Sequence, residues 1–394
     1  MNSEFVRPRY DSGGFAGIPA RIQEAFASDN YDAVVLFLVD GFGWRFFERF
    51  QDAPFLRRIA RDGTIEKLTS QFPSTTAAHL TTIHTGLPVG VSGVYEWFVY
   101  EPLLDQIIAP LLFSYSGTRE RDTLKPSRAN PALIYPTGRF YPELKKKGIS
   151  PFVFGIRDYT PSTYSRAVMT GAEILRFNTL SEALVNIGLL LEKQKKPSYI
   201  HLYFDKIDSI AHEYGPGSPQ TEAEIETFLL VMEYWFARIF QGNKRILFLM
   251  TADHGQCEVD PKTTIYLNTN RSFKGLERFI KTNQGGQLLV PAGSARDMFL
   301  HIQDHLLEET QSFLATRLEG KADVVKVDAL IESGYFGPEI SSRFLERVGN
   351  LVILPYPRET VWWYEKDRFE QRFYGHHGGL TALEMETVLY SLAI

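Results

Sequence analysis

Thr75 and Thr76 stand in the stretch FPSTTAAHLTTIHTGLP (72–88), where six Thr or Ser hydroxyls accompany His79 and His84. Such a stretch can be a helix start whose hydroxyls cap free N–H groups, or it can hold a nucleophile. A Thr hydroxyl attacks poorly unless a base or a metal activates it, so the rest of the chain has to supply that activation. Four clusters offer it. Asp40 closes the apolar run YDAVVLFLVDGFG (31–43). Asp208 and His212, in DSIAHEYG, are four residues apart and share one face of a helix. Asp253 and His254 close RILFLMTADHG (245–255), and His376 and His377 stand in YGHHGG, whose glycines allow a close backbone approach. Three carboxylates, two or three imidazoles and an alkoxide suffice for two metal sites. Nitrogen and oxygen ligands without Cys suit Zn²⁺, with Mn²⁺ or another divalent ion as the alternative. Two adjacent metals suit in-line displacement at phosphorus, one activating the attacking oxygen and the other stabilising the leaving oxygen. A helix beginning near Thr76 would add free N–H groups that favour the alkoxide and a phosphoryl oxygen.

Taken singly, each feature has a plainer reading: Asp40 as a turn residue, Asp208 and His212 as a solvated pair, the threonines as caps. What favours a site is that they fall at successive strand ends. YDAVVLFLVD is a continuous apolar run, as a strand buried on both faces of a parallel sheet must be, and PSYIHLYFD (197–205) and RILFLMTAD have the same form, an apolar strand running straight into acid. Helical stretches at 180–196 and 221–240 lie between them. The alternation predicts an α/β fold with a mainly parallel sheet, in which ligands bind beyond the carboxyl ends of the strands.

Two regions break the rhythm. Residues 95–165, rich in Pro, Tyr and Arg, are read as an irregular insertion walling the pocket. Residues 258–372 are read as an inserted α+β cap subdomain, with strand-like TTIYLN and GQLLVPAG and a helical ARDMFLHIQDHLLEETQSFLATRL. The catalytic core is then 1–257 with 373–394. His301 and His305, in HIQDH, read as a solvated helix face. YEWFVY (95–100) and VWWY (361–364) suit either stacking on a base or core packing. Asp205 is a candidate to orient a ligand, and Lys206 and Arg157 are candidate phosphate contacts.

The chain has 394 residues and a formal charge of −5, which gives no basic footprint for nucleic acid. The single cysteine, Cys257, excludes an intramolecular disulfide and a Cys-rich metal cage. With a polar N-terminal stretch and no apolar run long enough to span a bilayer, the expectation is a cytoplasmic protein acting on a small-molecule phosphoester, with neither membrane nor nucleic acid as partner.

In this order, LVDGFG, PSTTAAHLTTIHTGLP, DSIAHEYGP, TADHGQ and HHGGL resemble the motifs of the alkaline phosphatase superfamily, and within it the type I phosphodiesterase/nucleotide pyrophosphatase family. The resemblance frames residues 36–380. It implies a central, mostly parallel sheet sandwiched by helices, with two metals at the strand C-termini. Carried over position by position, it implies one metal on Asp40, Thr76, Asp253 and His254, and the other on Asp208, His212 and His377. It puts the nucleophile at Thr76, with Thr75 as the neighbouring alternative, and His376 beside a ligand. Where the family's diesterases often carry an Asn that touches a phosphoryl oxygen, this chain has His79. Thr75 and His79 are therefore candidate substrate contacts. The Cys-x-Pro-x-Arg context of sulfatases is missing, and the flanks of the phosphomutases do not match. The implied activity is metal-dependent hydrolysis of phosphodiester or nucleotide pyrophosphate bonds through a phosphothreonine at Thr76. Phosphomonoesterase, phosphonate hydrolase, phosphomutase and inactive binder are the alternatives. A dianionic monoester wants an extra cation, and the motifs contain no Arg, which favours diesters.

Overall fold

The computed structural model describes residues 1–394 with the exception of 241 and 243. Seven strands form its central sheet: β1 (Ala33–Val39), β2 (Thr64–Thr69), β3 (Ser150–Ile156), β4 (Glu173–Phe177), β5 (Ser198–Phe204), β6 (Ile246–Thr251) and β7 (Glu386–Ala393), in the spatial order β2-β7-β6-β1-β5-β3-β4. From β6 to β4 the pairings are parallel, whereas β7 runs antiparallel to both β6 and β2. Every residue of β1 is buried. Its alternate side chains enter two different cores, as the period of a strand requires. Val35 and Phe37 pack with Phe248, Leu184 and Phe236 under the helices Leu180–Lys193 and Pro219–Ile239. Val34, Leu36 and Leu38 pack on the other side with Ile22, Ile83 and Phe140. The expected α/β sandwich is therefore what forms.

Residues 258–372 contain a separate antiparallel sheet, with strands 292–294, 297–300, 351–355 and 322–326 in spatial order. Both of its faces are buried. Met298, Leu300, Leu351 and Ile353 join a core with Trp362 and Leu314, while Phe299, Val352 and Leu354 pack against Phe72, Ala77 and Tyr95.

Two readings of the sequence need correction. Residues 95–165 are not irregular throughout, because Ser150–Ile156 is β3 of the main sheet. It lacks the acidic ending that marks β1, β5 and β6, and its short apolar run is silent about strand or helix. The helix read over ARDMFLHIQDHLLEETQSFLATRL begins only at Leu307 and ends at Arg317. Asp297–Leu300 is instead a strand paired with Leu351–Ile353. His301 is accordingly no solvated helix residue; it is buried, edge-on to Tyr100.

Candidate active site

Four strand ends, of β1, β2, β5 and β6, and the start of β7 meet at a single edge of the sheet. β1 and β6 are parallel neighbours in register at Leu38 and Thr251, so Asp40 leaves the sheet beside Asp253 and His254. On the other flank β5 ends at Phe204, and Asp205 is the N-cap of α1 (Lys206–Tyr214), which carries Asp208 and His212 on one face. Because β7 runs antiparallel, the loop before it, with His376 and His377, arrives at this same edge. After β2 the chain turns through Ser70–Thr75 into the N-terminus of a Thr-rich helix, Thr76–Thr85, with Thr76 its first residue. Gly41 turns the chain at φ 72°, and a Cβ there would sit 3.1 Å from the Asp208 carboxylate.

The seven residues expected as ligands converge. Thr76 Oγ1 lies 3.1 Å from His254 Nε2 and 3.5 Å from Asp40 Oδ1. His254 Nε2 is 3.4 Å from Asp40 Oδ1 and 3.4 Å from Asp253 Oδ2. On the other side, His212 Nε2 is 3.3 Å and His377 Nε2 3.8 Å from the Asp208 carboxylate. Asp40, Asp253 and His254 bring one ligand atom each within 4.8 Å of one another, and so do Asp208, His254 and His377. The rings of His254 and His377 stack at 3.6 Å, so the two groups adjoin. Each imidazole is also oriented: Nδ1 of His212 bonds the Gly375 carbonyl at 2.7 Å, Nδ1 of His377 that of Ser74 at 2.9 Å, and Nδ1 of His254 that of Gly255 at 3.0 Å. A carbonyl only accepts, so each Nδ1 carries a proton and each Nε2 points inward, with its lone pair free on His254 and His377, while on His212 the Asp208 carboxylate favours a second proton that a metal would displace.

The electrostatics call for cations. Asp40, Asp208 and Asp253 are buried, and no Lys or Arg pairs with them among the described residues. Burial and then the charges of Asp208 and Asp253 push the Asp40 carboxyl well up. Burial and the Asp208 charge raise Asp253 to about 6. Asp208 goes the other way: burial opposes its ionisation, but the His212 charge and hydrogen bond outweigh it. Burial holds His254 down at about 4 and His377 well below its usual range. Asp253 Oδ2 has no hydrogen-bond donor. Buried carboxylates, an orphan oxygen and converging imidazoles are a donor set that suits divalent metals.

The remaining candidates are distributed differently. His79 does not face the site. Its Nδ1 bonds the Thr75 carbonyl at 2.6 Å, while Nε2 accepts from the Gln71 N–H at 2.8 Å and lies 2.8 Å from Ser70 Oγ. Both ring nitrogens are thus consumed in pinning the turn before Thr76, which corrects the expectation of a substrate contact. Thr75 is the buried N-cap and makes no side-chain cap bond. His376 bonds its own chain through Nδ1 and stands edge-on to His212 at 5.6 Å. Asp205 binds the Tyr159 hydroxyl at 2.9 Å and lies 3.1 Å from Lys206, while Arg157 faces Glu182 at 3.9 Å. Trp362 and Trp363 fill the core of the inserted sheet, and Tyr95 is buried against Phe299. Three supporting residues went unread in the sequence. Tyr203 donates its hydroxyl to Asp40, Gln256 donates to Asp208, and Ser74 holds Gly379 O at 2.8 Å and Gly378 N at 3.1 Å. All three lie within three residues of a motif residue or inside a quoted motif, which was the available signal.

A cavity of about 220 Å³ opens over the cluster, with Asp40, Thr76 and Asp208 at one end. Trp97, Leu111 and Arg121 from the 95–165 stretch line it together with Tyr159, whereas residues 258–372 contribute no lining among the described residues.

The type I phosphodiesterase/nucleotide pyrophosphatase family model matches residues 34–380. The chain belongs to that family. Venom phosphodiesterase 2 of Crotalus adamanteus is 25% identical over 276 residues, covering 65% of this chain and 30% of that protein. The venom phosphodiesterase of Naja atra is 27% identical over 255 residues, covering 60% of this chain and 28% of the relative. The chain therefore spans under a third of the length of these relatives. Murine ectonucleotide pyrophosphatase/phosphodiesterase 5 shares the fold at a TM-score of 0.66 and 16% identity, over 91% of this chain and 87% of that one. Phosphonoacetate hydrolase from Sinorhizobium meliloti 1021, solved with phosphonoacetate, does so at 0.62 and 16%, over 91% and 89%. The fold and family implied by the five motifs are those found.

Proposed function

We propose that the chain hydrolyses phosphoric esters, phosphodiester or nucleotide pyrophosphate bonds foremost, with Thr76 as nucleophile. The observation that carries the reading is the Thr76 hydroxyl at a helix N-terminus, 3.1 Å from His254 Nε2 and among three buried carboxylates that no Lys or Arg pairs with among the described residues. One divalent ion would be held by Asp40, Thr76, Asp253 and His254, and a second by Asp208, His212 and His377, with Zn²⁺ the first choice for this donor set. When bound, such a pair supplies the positive charge that acidifies the attacking oxygen and steadies the leaving one. Thr76 gives up its proton to solvent, Oγ1 bonds phosphorus, and the P–O bond to the leaving group breaks, the departing oxygen taking up a proton from solvent. Water then adds to that phosphorus and the Oγ1–P bond breaks, returning the threonine. The free N–H groups of the first turn, which Thr75 leaves uncapped, are disposed to hold a phosphoryl oxygen. Family membership supports a diester or pyrophosphate substrate, and a relative of the same fold, murine pyrophosphatase/phosphodiesterase 5, has been solved with AMP. Residues 258–372 are read as an inserted module that braces the His377 loop while 95–165 shapes the substrate.

The test is turnover of bis-p-nitrophenyl phosphate, p-nitrophenyl phosphate and phosphonoacetate by wild type and Thr76→Ala, with EDTA and with Zn²⁺ or Mn²⁺ restored. The diester should be favoured, EDTA should abolish its turnover, and Thr76→Ala should lose at least about 10³-fold, the scale of removing a covalent nucleophile, with its melting temperature kept. Preference for the monoester or the phosphonate would replace the diester reading, and full activity in Thr76→Ala would remove the threonine from the mechanism.

A further inference from the structure

Arg121 is the single Lys or Arg among the described residues that line the cavity over Thr76. Its guanidinium lies over the Tyr159 ring, 5.0 Å from the centroid, and one N–H reaches the Leu111 carbonyl at 3.3 Å. Tyr159 in turn donates to Asp205, the N-cap of the helix that carries Asp208, so the arginine is tied to the same framework as the candidate metal ligands. No carboxylate pairs with it among the described residues. Its neighbour Asp122 is taken up by Lys125 at 2.8 Å and by the Thr163 hydroxyl at 2.6 Å. Asp205 has Tyr159 and Lys206. A guanidinium remains charged at any working pH and presents a planar fork of donors that matches an oxyanion. It is solvent-exposed where it lines the cavity, stacked on the Tyr159 face beside Trp97 and Leu111, so its charge is free to take an anion entering the pocket.

We propose that Arg121 is a specificity-determining residue, selecting substrates that carry a second oxyanion, phosphate or carboxylate, away from the scissile phosphorus. The inference rests on the phosphoester reading of the site and deepens it. A motif-only view of the chain finds no arginine and so favours singly charged diesters; the fold brings one to the pocket from a stretch with no motif. The second anion binds the guanidinium while the scissile group sits over Thr76.

Three non-hydrolysable probes of one carbon-chain length separate the possibilities: propylphosphonate, 3-phosphonopropionate and 1,3-propanediphosphonate, as competitive inhibitors of bis-p-nitrophenyl phosphate hydrolysis by the metal-loaded protein. Arg121→Met should weaken the two dianchored probes about 10-fold or more, the scale of a charge-assisted hydrogen bond, and leave propylphosphonate within about twofold. Arg121→Lys should recover part of the loss. The ratio of the carboxylate to the phosphonate probe then tells which oxyanion the fork prefers. Equal weakening of all three probes, or none, overturns the proposal. If the wild type turns over no diester, the phosphoester reading fails; calorimetric binding of the same probes still tests Arg121 by itself.

Discussion

Three imidazoles present the same nitrogen to the site because each gives its Nδ1–H to a main-chain carbonyl, and none of those carbonyls could be inferred from a motif. Residue types at strand ends were legible; their tautomers were not, since a hydrogen bond to Ser74 or Gly375 exists only once distant segments meet. The same holds for His79, whose place in the motif suggested phosphate and whose two nitrogens instead hold the turn before Thr76. A second buried pair lies under Gly378, where a Cβ would come within 2.7 Å of Asp297 Oδ1 and 3.2 Å of Glu96 Oε1. Burial raises both acids, Glu96 to about 8, and the two share their protons. Between the ordinary carboxylate range and about pH 8 the folded chain thus keeps a proton that the unfolded chain has released. Stability must fall as pH rises through that window. Melting temperature measured from pH 5 to 9 at saturating Zn²⁺ should decline, and Glu96→Gln should flatten the decline. An unchanged slope in the variant would mean that other groups carry the protons.

At the scale of elements, one reversal of direction builds the site. β7 is the antiparallel strand of the central sheet, and only by that reversal does the loop before it reach the edge where β1, β5 and β6 end. The inserted sheet then fixes this loop. Arg296, fully buried, makes two bonds of 2.9 Å to Glu384, and Glu384 accepts from the Gly379 N–H at 3.0 Å, while Ser294 reaches the His377 carbonyl at 3.3 Å. Arg296→Met strands a buried carboxylate and should cost about 3–5 kcal/mol in chemical denaturation. Because it frees the His377 loop, it should also weaken metal binding about 10- to 100-fold in a Zn²⁺ titration. Arg296→Met combined with Glu384→Gln should recover part of the stability. Loss of stability with undiminished metal affinity would limit the pair to holding the fold. β1, β5 and β6 could be read from the sequence because a mainly apolar run ending in acid fits little else than a buried strand that stops at a polar edge. β2, TIEKLT, with only Leu68 buried at the sheet edge, and β3, with no acid directly at its end, gave no such contrast. Asp297–Leu300 was misread because a short apolar run fits either period until its partner strand is known.

The whole molecule spends part of its stability on gathering like charge. Two hydrophobic cores flank the sheet, and at its carboxyl edge Asp40, Asp208 and Asp253 are packed together with no Lys or Arg paired to them among the described residues. Cations bound at that edge should therefore stabilise the entire fold, by about 2.7 kcal/mol per site when the free metal is a hundred times its dissociation constant. EDTA should lower the melting temperature, and excess Zn²⁺ should restore it. The variant Asp253→Asn distinguishes this from a nonspecific effect of chelation. Its Oδ1 can still accept the Gly41 and His254 N–H bonds of 3.2 and 3.1 Å that the aspartate accepts now. What it removes is one of three mutually repelling charges, on a group whose carboxyl is already raised to about 6 by burial and by Asp208. Above that pH, with EDTA, Asp253→Asn should melt higher than the wild type, because the ionised wild type then buries the full charge. With Zn²⁺ the order should reverse, because the variant has lost an anionic ligand. A variant that melts lower in both conditions would show that the fold depends on the carboxylate itself, and that like-charge repulsion is not what binding relieves.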